Sequence, residues 1–339
     1  MKRLLLLSIV VLFCILSLES NDMMKKVLEI GNDSKENYTF FSISSVCSDD
    51  EENIYVFDGK GYYLRKYDKK GRFIRQVGKK GQGPGDFSFS SSVSYMNEIV
   101  YLYDSLNRRI AMYTKNLELK GYIKLERDFP MFAGGFQGFD NKFYFSVGIG
   151  NRGDKIIITD KNAKVLKKFF KNIPEYLKKY SNLKDRKRKV LRDFYSKIIY
   201  DINKNQKNMF ITFVYPEKVE LFRFSLYGEI LNKIKLDIIK DYEIPKSMNN
   251  LSLKYTNERS FGIDSLLSVK KYVFIIFYES EKNKIVYRLL IYDFENQKII
   301  NNKEVNYIRL VHSSEDKLYV VSEDEDGCIK LEVYKIGEK

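Results

Sequence analysis

His312 is the only histidine in this 339-residue chain, so any chemistry that needs an imidazole depends on this one side chain. A metal site built from several histidines is therefore excluded, and a lone histidine is more often structural than catalytic. The chain also lacks a G-x-S-x-G elbow and a C-x-x-C pair, which are typical of serine hydrolases and thiol redox sites. Nucleophilic catalysis has no sequence support.

Carboxylates could hold a cation without histidine, because calcium prefers oxygen ligands. The acidic stretch at residues 322–327, Ser-Glu-Asp-Glu-Asp-Gly, faintly resembles a calcium loop. Aligned on Gly327, such a loop needs a bidentate glutamate at position 333, where this chain has Val333. We therefore expect an acidic turn here and no cofactor, with calcium as the alternative.

A strongly basic segment is the clearest hint of a binding partner. Eleven basic residues and two acidic ones lie between positions 167 and 192, in a chain whose net charge is +14. An apolar stripe through the same segment favours a helix. The helix is either a solvated cover of its neighbours or a docking site for an anionic partner or membrane surface. The binding residues that we predict are Lys184, Arg186, Lys187, Arg188 and Lys189, together with His312.

The N-terminus has the three-part pattern of a secretory signal peptide. A basic start is followed by an uncharged apolar run at residues 4–18 and by a polar break, so we place the signal at residues 1–20. Two alternatives stay open. The run could be retained as a membrane tether, or Cys14 could be lipidated, although the bulky Phe13 before it disfavours this. Export excludes nucleic acid as a natural partner and places the protein in the periplasm, at the cell surface or in the medium.

Strand patterns recur along the remainder, residues 21–339, at a spacing of about 45 residues. The most apolar strand of each unit begins at positions 54, 99, 143, 209, 273 and 318. The two wider steps contain insertions at about 170–193 and 237–260. A period of this size, with each strand apolar on both faces, predicts a six-bladed β-propeller of four-stranded antiparallel blades.

The sixth unit ends after its third strand, and the segment at residues 26–31 resembles the missing outer strand. We predict that this N-terminal strand closes the ring, because an open ring would expose a long sheet edge. His312 falls near the start of the sixth innermost strand and could face the central channel. Asp264 is the main acid in the predicted innermost strands. Cys47 and Cys328 lie in neighbouring blades, and we favour two separate thiols over a disulfide.

One connection between blades carries a specific signature. It runs from Arg75 to Phe87, reads RQVGKKGQGPGDF, and resembles the glycine-rich connection of NHL-repeat propellers, above all of exported bacterial six-bladed propellers. The next blade, with Tyr-Asp-Ser-Leu-Asn-Arg-Arg-Ile at 103–110, is similar to the same repeat. The resemblance covers residues 40–125 and implies that the motif residues are structural: Gly78, Gly81, Gly83, Gly85, Phe87, Asp104, Asn107 and Arg109.

We interpret the chain as an exported, monomeric, non-enzymatic binding or scaffold propeller. It would bind a protein or an anionic envelope component with the loops of one ring face and the channel mouth, because connections vary while blades keep the shape. The alternative is a hydrolase or lyase that resembles the lactonase and amidating-lyase propellers and holds a central divalent cation. That enzyme would place converging acids or His312 at the channel mouth.

Overall fold

The fold is a ring of six four-stranded antiparallel sheets. A computed structural model describes residues 23–31, 36–87, 90–127, 129, 133–147, 156–169, 199–215, 218–236, 260–281 and 284–337. The predicted insertions at about 170–193 and 237–260, the predicted signal peptide and Cys14 lie outside these residues. Within the described part of the chain, no helix is long and apolar enough to span a membrane.

Each blade is given with its strands in order from the channel outward. Blade 1 contains β2 (Ile43–Ser48), β3 (Ile54–Asp58), β4 (Tyr63–Tyr67) and β5 (Phe73–Val77), and blade 2 contains β6 (Ser90–Met96), β7 (Ile99–Asp104), β8 (Arg109–Thr114) and β9 (Leu119–Lys124). Blade 3 contains β10 (Ala133–Phe139), β11 (Lys142–Val147), β12 (Ile156–Asp160) and β13 (Val165–Phe169), and blade 4 contains β14 (Ile199–Asn203), β15 (Asn208–Tyr215), β16 (Lys218–Ser225) and β17 (Ile230–Leu236). Blade 5 contains β18 (Ser260–Val269), β19 (Tyr272–Glu281), β20 (Lys284–Asp293) and β21 (Lys298–Glu304), and blade 6 contains β22 (Tyr307–Ser314), β23 (Lys317–Glu323), β24 (Ile329–Ile336) and β1 (Met24–Ile30).

The ring closes as the sequence predicts. The N-terminal strand β1 is the outer strand of blade 6 and pairs antiparallel with the C-terminal strand β24, from Met24 opposite Ile336 to Ile30 opposite Leu331. Pairing the two ends of the chain removes the sheet edge that an open ring would expose. The six-bladed architecture and its N-terminal closure are therefore confirmed.

The core is divided among the six interfaces between blades. The second strands, such as β3 and β11, are buried along nearly their whole length because a neighbouring blade covers each face. Aromatic side chains fill these interfaces, and Tyr103, Phe143 and Phe145 are fully buried between blades 2 and 3. Burying each such side chain contributes about 1.5–3 kcal/mol to the stability of the fold. The large aromatic content of the sequence is therefore what holds the blades together.

The turn between the third and fourth strands repeats in five blades with different residues. Each contains one residue with φ between 52° and 78°, namely Gly71, Leu117, Ala163, Gly228 and Gln297. The strand pairing shifts register beside every one of these turns. Since only two of the five are glycine, the repeated backbone geometry is hidden in the sequence.

The two faces of the ring are built from different connections. The turn face carries the turns that join first to second and third to fourth strands, which are two to five residues long. The loop face carries the turns between second and third strands and the connections between blades, which range from two to 29 residues. Both predicted insertions start and end at the loop face, since they follow β13 and β17.

Candidate functional site

The innermost strands are joined around the channel by a closed ring of six hydrogen bonds, which we call the girdle. In each link, a side chain of one blade accepts from a backbone N–H of the next. The links are Ser45 from Val93 (3.0 Å), Ser94 from Gly138 (2.8 Å), Gln137 from Ile202 (3.1 Å), Asp201 from Ser268 (2.7 Å), Ser265 from Leu310 (2.9 Å) and His312 from Ser48 (3.2 Å). Each link satisfies an amide that the neighbouring blade would otherwise cover.

His312 makes the sixth link, between blades 6 and 1. It is the third residue from the end of β22, so it lies near the turn face rather than near the start of the strand as predicted. Its Nε2 accepts from the backbone N–H of Ser48 at 3.2 Å and lies 3.0 Å from the Ser48 hydroxyl. Burial, reinforced by the Lys204 ammonium, holds the pKa of His312 well below its ordinary value, so the ring is neutral.

Asp201 makes the fourth link and is almost completely buried. Its carboxylate accepts from the Gln137 amide at 2.9 Å, from the Ser268 N–H at 2.7 Å and from the Ser268 hydroxyl at 2.6 Å. Burial raises the pKa of Asp201 despite these donors and the nearby Lys204 cation. The residue therefore ties blades 3, 4 and 5 together.

Lys204 follows β14 directly and lies at the turn-face end of the channel. Its ammonium acts electrostatically on side chains of three blades: Asp201 of blade 4, Cys47 of blade 1 and His312 of blade 6. The side chain is solvent-exposed, yet the surrounding blades reduce its hydration enough to lower its pKa. A cation that acts on opposite sides of the ring lies within the channel mouth.

The turn that carries Lys204 extends over that mouth. Asn205 donates its side-chain amide to the Glu315 carbonyl of blade 6 at 3.3 Å, and so reaches past blade 5. The Gln206 amide lies 3.0 Å from the Glu295 carboxylate of blade 5. These contacts fix the turn against blades 5 and 6.

Further contacts between blades brace the turn face. Lys115 of blade 2 forms ion pairs with Asp50 and Glu51 of blade 1 at 3.2 and 2.8 Å. Lys317 of blade 6 pairs with Glu52 of blade 1. The side chains of Asn97 and Asn141 join blades 2 and 3 at 2.7 Å. Exposed pairs of this kind contribute little each, but together they keep the turns in place.

The glycine-rich connection lies at the loop face, between β5 and β6. Gly78 has φ +92°, and a Cβ there would lie 2.2 Å from the Phe87 ring. Gly85 has φ +79°, whereas Gly81 and Gly83 have no positive φ. The Phe87 side chain is buried between blades 1 and 2. The glycine-rich segment is thus a compact connection from blade 1 to blade 2.

Asp104, Asn107 and Arg109 surround this connection. Asn107 donates to the Asp104 carboxylate at 2.7 Å, and the Arg109 Nε lies 3.3 Å from the same oxygen. The Arg109 guanidinium also donates to the backbone carbonyl of Asp86 at 2.7 Å and lies over the Tyr122 ring. The three side chains thus link blade 2 to the connection that enters it.

Lys184, Arg186, Lys187, Arg188 and Lys189 lie outside the described residues. Cys47 is a buried free thiol in β2, and burial raises its pKa, while Cys328 is a free thiol exposed at the loop face. Among the described residues, no three His, Cys, Asp or Glu side chains converge closely enough to hold a metal ion.

Sequence reasoning missed Asp201 and Lys204. β14, the innermost strand of blade 4, ends at Asn203, shortly before the apolar strand that the sequence predicts from position 209. A short turn between these two strands, as in the other blades, is the signal that places Asp201 in the channel wall and Lys204 at its mouth.

Comparison with known proteins identifies the fold and leaves the function open. No family model matches the chain, and no curated protein matches it. One similar solved structure is a member of the DUF4221 family from Bacteroides vulgatus; its TM-score is 0.64 and its sequence identity 10%, over 93% of this chain and 98% of that one. Another is a Bacteroides fragilis protein whose name describes it as exported; its TM-score is 0.60 and its sequence identity 12%, over 94% of this chain and 97% of that one. The PQQ-bound aldose sugar dehydrogenase of Streptomyces coelicolor is also similar; its TM-score is 0.53 and its sequence identity 10%, over 92% of this chain and 97% of that one. Exported proteins and enzymes thus share this fold, and the NHL-repeat resemblance stays a prediction.

Proposed function

We propose that this protein is an exported, non-enzymatic binding propeller that holds a protein or an anionic envelope component on its loop face. The observation that carries the proposal is the difference between the two faces. Turns of two to five residues form the turn face, and side chains of neighbouring blades tie them to one another. Connections of up to 29 residues leave the loop face. Recognition usually depends on such long connections, which a rigid scaffold presents.

The basic segment supports an anionic partner. It leaves blade 3 after Phe169 and returns as β14 at Ile199, and both positions belong to the loop face. Its sequence carries most of the excess positive charge of the chain. Association with an anionic surface would therefore weaken as salt is added.

Photo-crosslinking from single positions tests the proposal. A photoreactive residue replaces Leu106 or Glu325, which are exposed at the loop face, or Asn162 or Tyr227, which are exposed at the turn face. In cells that produce the protein, we expect a discrete adduct from the loop-face positions that substitution of Lys187, Arg188 and Lys189 by Gln reduces. Adducts that form equally from both faces would contradict the proposed binding face.

A further inference from the structure

Two hydrogen-bond donors with no acceptor among the described residues lie at the turn-face end of the channel. The first is the Lys204 ammonium, which has no ion pair or hydrogen bond with the described residues. The second belongs to His312. Because a backbone N–H can only donate, Nε2 must accept from Ser48, and the proton of the neutral ring is on Nδ1. No described residue accepts from Nδ1–H.

Both donors come from elements that are fixed in place. The girdle and the Tyr319 ring, whose centroid lies 4.9 Å from that of the imidazole, orient His312. Asn205 and Gln206, bound to blades 6 and 5, hold the turn that carries Lys204. The position of both groups is therefore set before any ligand arrives, which lowers the entropic cost of binding.

The surroundings select the charge of the ligand. Cys47 is a buried neutral thiol, Ser48 presents a hydroxyl, and the Asp201 carboxylate is occupied by three donors. The ammonium and an N–H at this mouth favour an oxygen that carries negative charge. Asp201 already acts on the Lys204 charge, and an anionic ligand would add to that compensation, whereas a neutral ligand would not.

We propose that Lys204 and the His312 Nδ1–H form a binding site for a carboxylate or phosphate group of a small molecule in the central channel. Such a ligand enters from the loop face and places its anionic end at the opposite, turn-face end. This inference rests on the proposed binding function and names the ligand chemistry of its channel. The Lys204 ammonium supplies the charge, and His312 fixes the direction of one oxygen.

The single histidine makes the site directly observable. In protein labelled with ¹⁵N-histidine, one imidazole contributes two nitrogen signals, and we expect the pattern of the Nδ1–H tautomer. Inorganic phosphate and citrate are titrated separately at constant ionic strength, up to about 10 mM, which is well above the requirement of a weak millimolar site. We expect a saturable shift of Nδ1–H with at least one of them, and the stronger of the two identifies the class of anion.

Two matched variants complete the test. Lys204→Met keeps the length of the side chain and should weaken the response at least tenfold, whereas Lys207→Met in the same turn should leave it unchanged. An Nε2–H tautomer, no response to either anion, or an equal response in Lys204→Met would overturn the inference. The loop-face crosslinks do not depend on Lys204, so their persistence in that case would leave the proposed function standing.

Discussion

Acidification should destabilise the protein through His312. Burial, reinforced by the nearby Lys204 ammonium, holds the folded ring neutral, so its pKa lies well below the ordinary value of about 6.5 that applies to the unfolded chain. As pH falls through that value, the unfolded state binds a proton at His312 that the folded state does not bind. Stability is therefore complete above this pH and is lost below it.

The size of the effect follows from proton linkage. Between about pH 7.5 and pH 5.5, the unfolded state gains roughly 1.4 kcal/mol relative to the folded state, as long as the folded pKa stays below this window. Urea unfolding at a series of pH values measures it. His312→Gln offers an amide oxygen to the Ser48 N–H but binds no proton, so it should lose this share of the pH dependence.

Comparing wild type with His312→Gln isolates the contribution of His312 to the pH dependence of stability. Asp201, whose raised pKa makes the fold less stable as pH rises, contributes equally to both profiles, as do the other carboxyl groups. Parallel profiles of wild type and His312→Gln across this window would refute the assigned tautomer and the role of the ring in the girdle.

Three further changes probe the fold itself. Ser94→Ala should lower the free energy of unfolding by about 1–3 kcal/mol, because it leaves the buried Gly138 N–H unpaired. Ser105→Ala should be nearly neutral, since that buried hydroxyl has no partner among the described residues. Denaturant titration of both variants measures the difference. Gly78→Ala should destabilise the fold by several kcal/mol, because its Cβ would collide with the Phe87 ring. Gly85→Ala meets nothing within 4 Å and should cost only about 1–2 kcal/mol, from the left-handed backbone conformation. Equal losses of melting temperature in the two variants would contradict the geometry of the glycine-rich connection. Ile30→Asp should open the ring and promote aggregation, since it buries a carboxylate in the closing strand, while Val27→Asp on the exposed side of that strand should be tolerated; size-exclusion chromatography distinguishes them.

The blade pattern could be predicted because the second strands have a chemical reason to stand out. Each is covered on both faces, so its apolar run begins within one residue of the observed strand, as at Ile54, Phe143 and Met209. The closing strand could be predicted because the sixth unit lacked an outer strand and an open edge is unfavourable. These features depend on burial, which composition and periodicity report directly.

The girdle could not be predicted in this way. Its six acceptors are serine in three blades and Gln137, Asp201 and His312 in the others, so no residue type marks the position. What the links share is geometry: a side chain on one innermost strand reaches an amide on the next. The same applies to the turns between third and fourth strands, where Leu117 adopts the backbone conformation that Gly71 adopts in blade 1.

His312 shows why structural and functional interpretations of a lone histidine need not exclude each other. Its Nε2 is committed to Ser48 and closes the girdle between the last blade and the first. That commitment fixes the proton on Nδ1, and this second nitrogen, which has no acceptor among the described residues, can donate beside Lys204. A serine in the same position, as in blades 1, 2 and 5, would close the link equally well but would not present a fixed N–H donor beside Lys204. The imidazole thus explains both the integrity of the ring and the donor that we assign to the anion site.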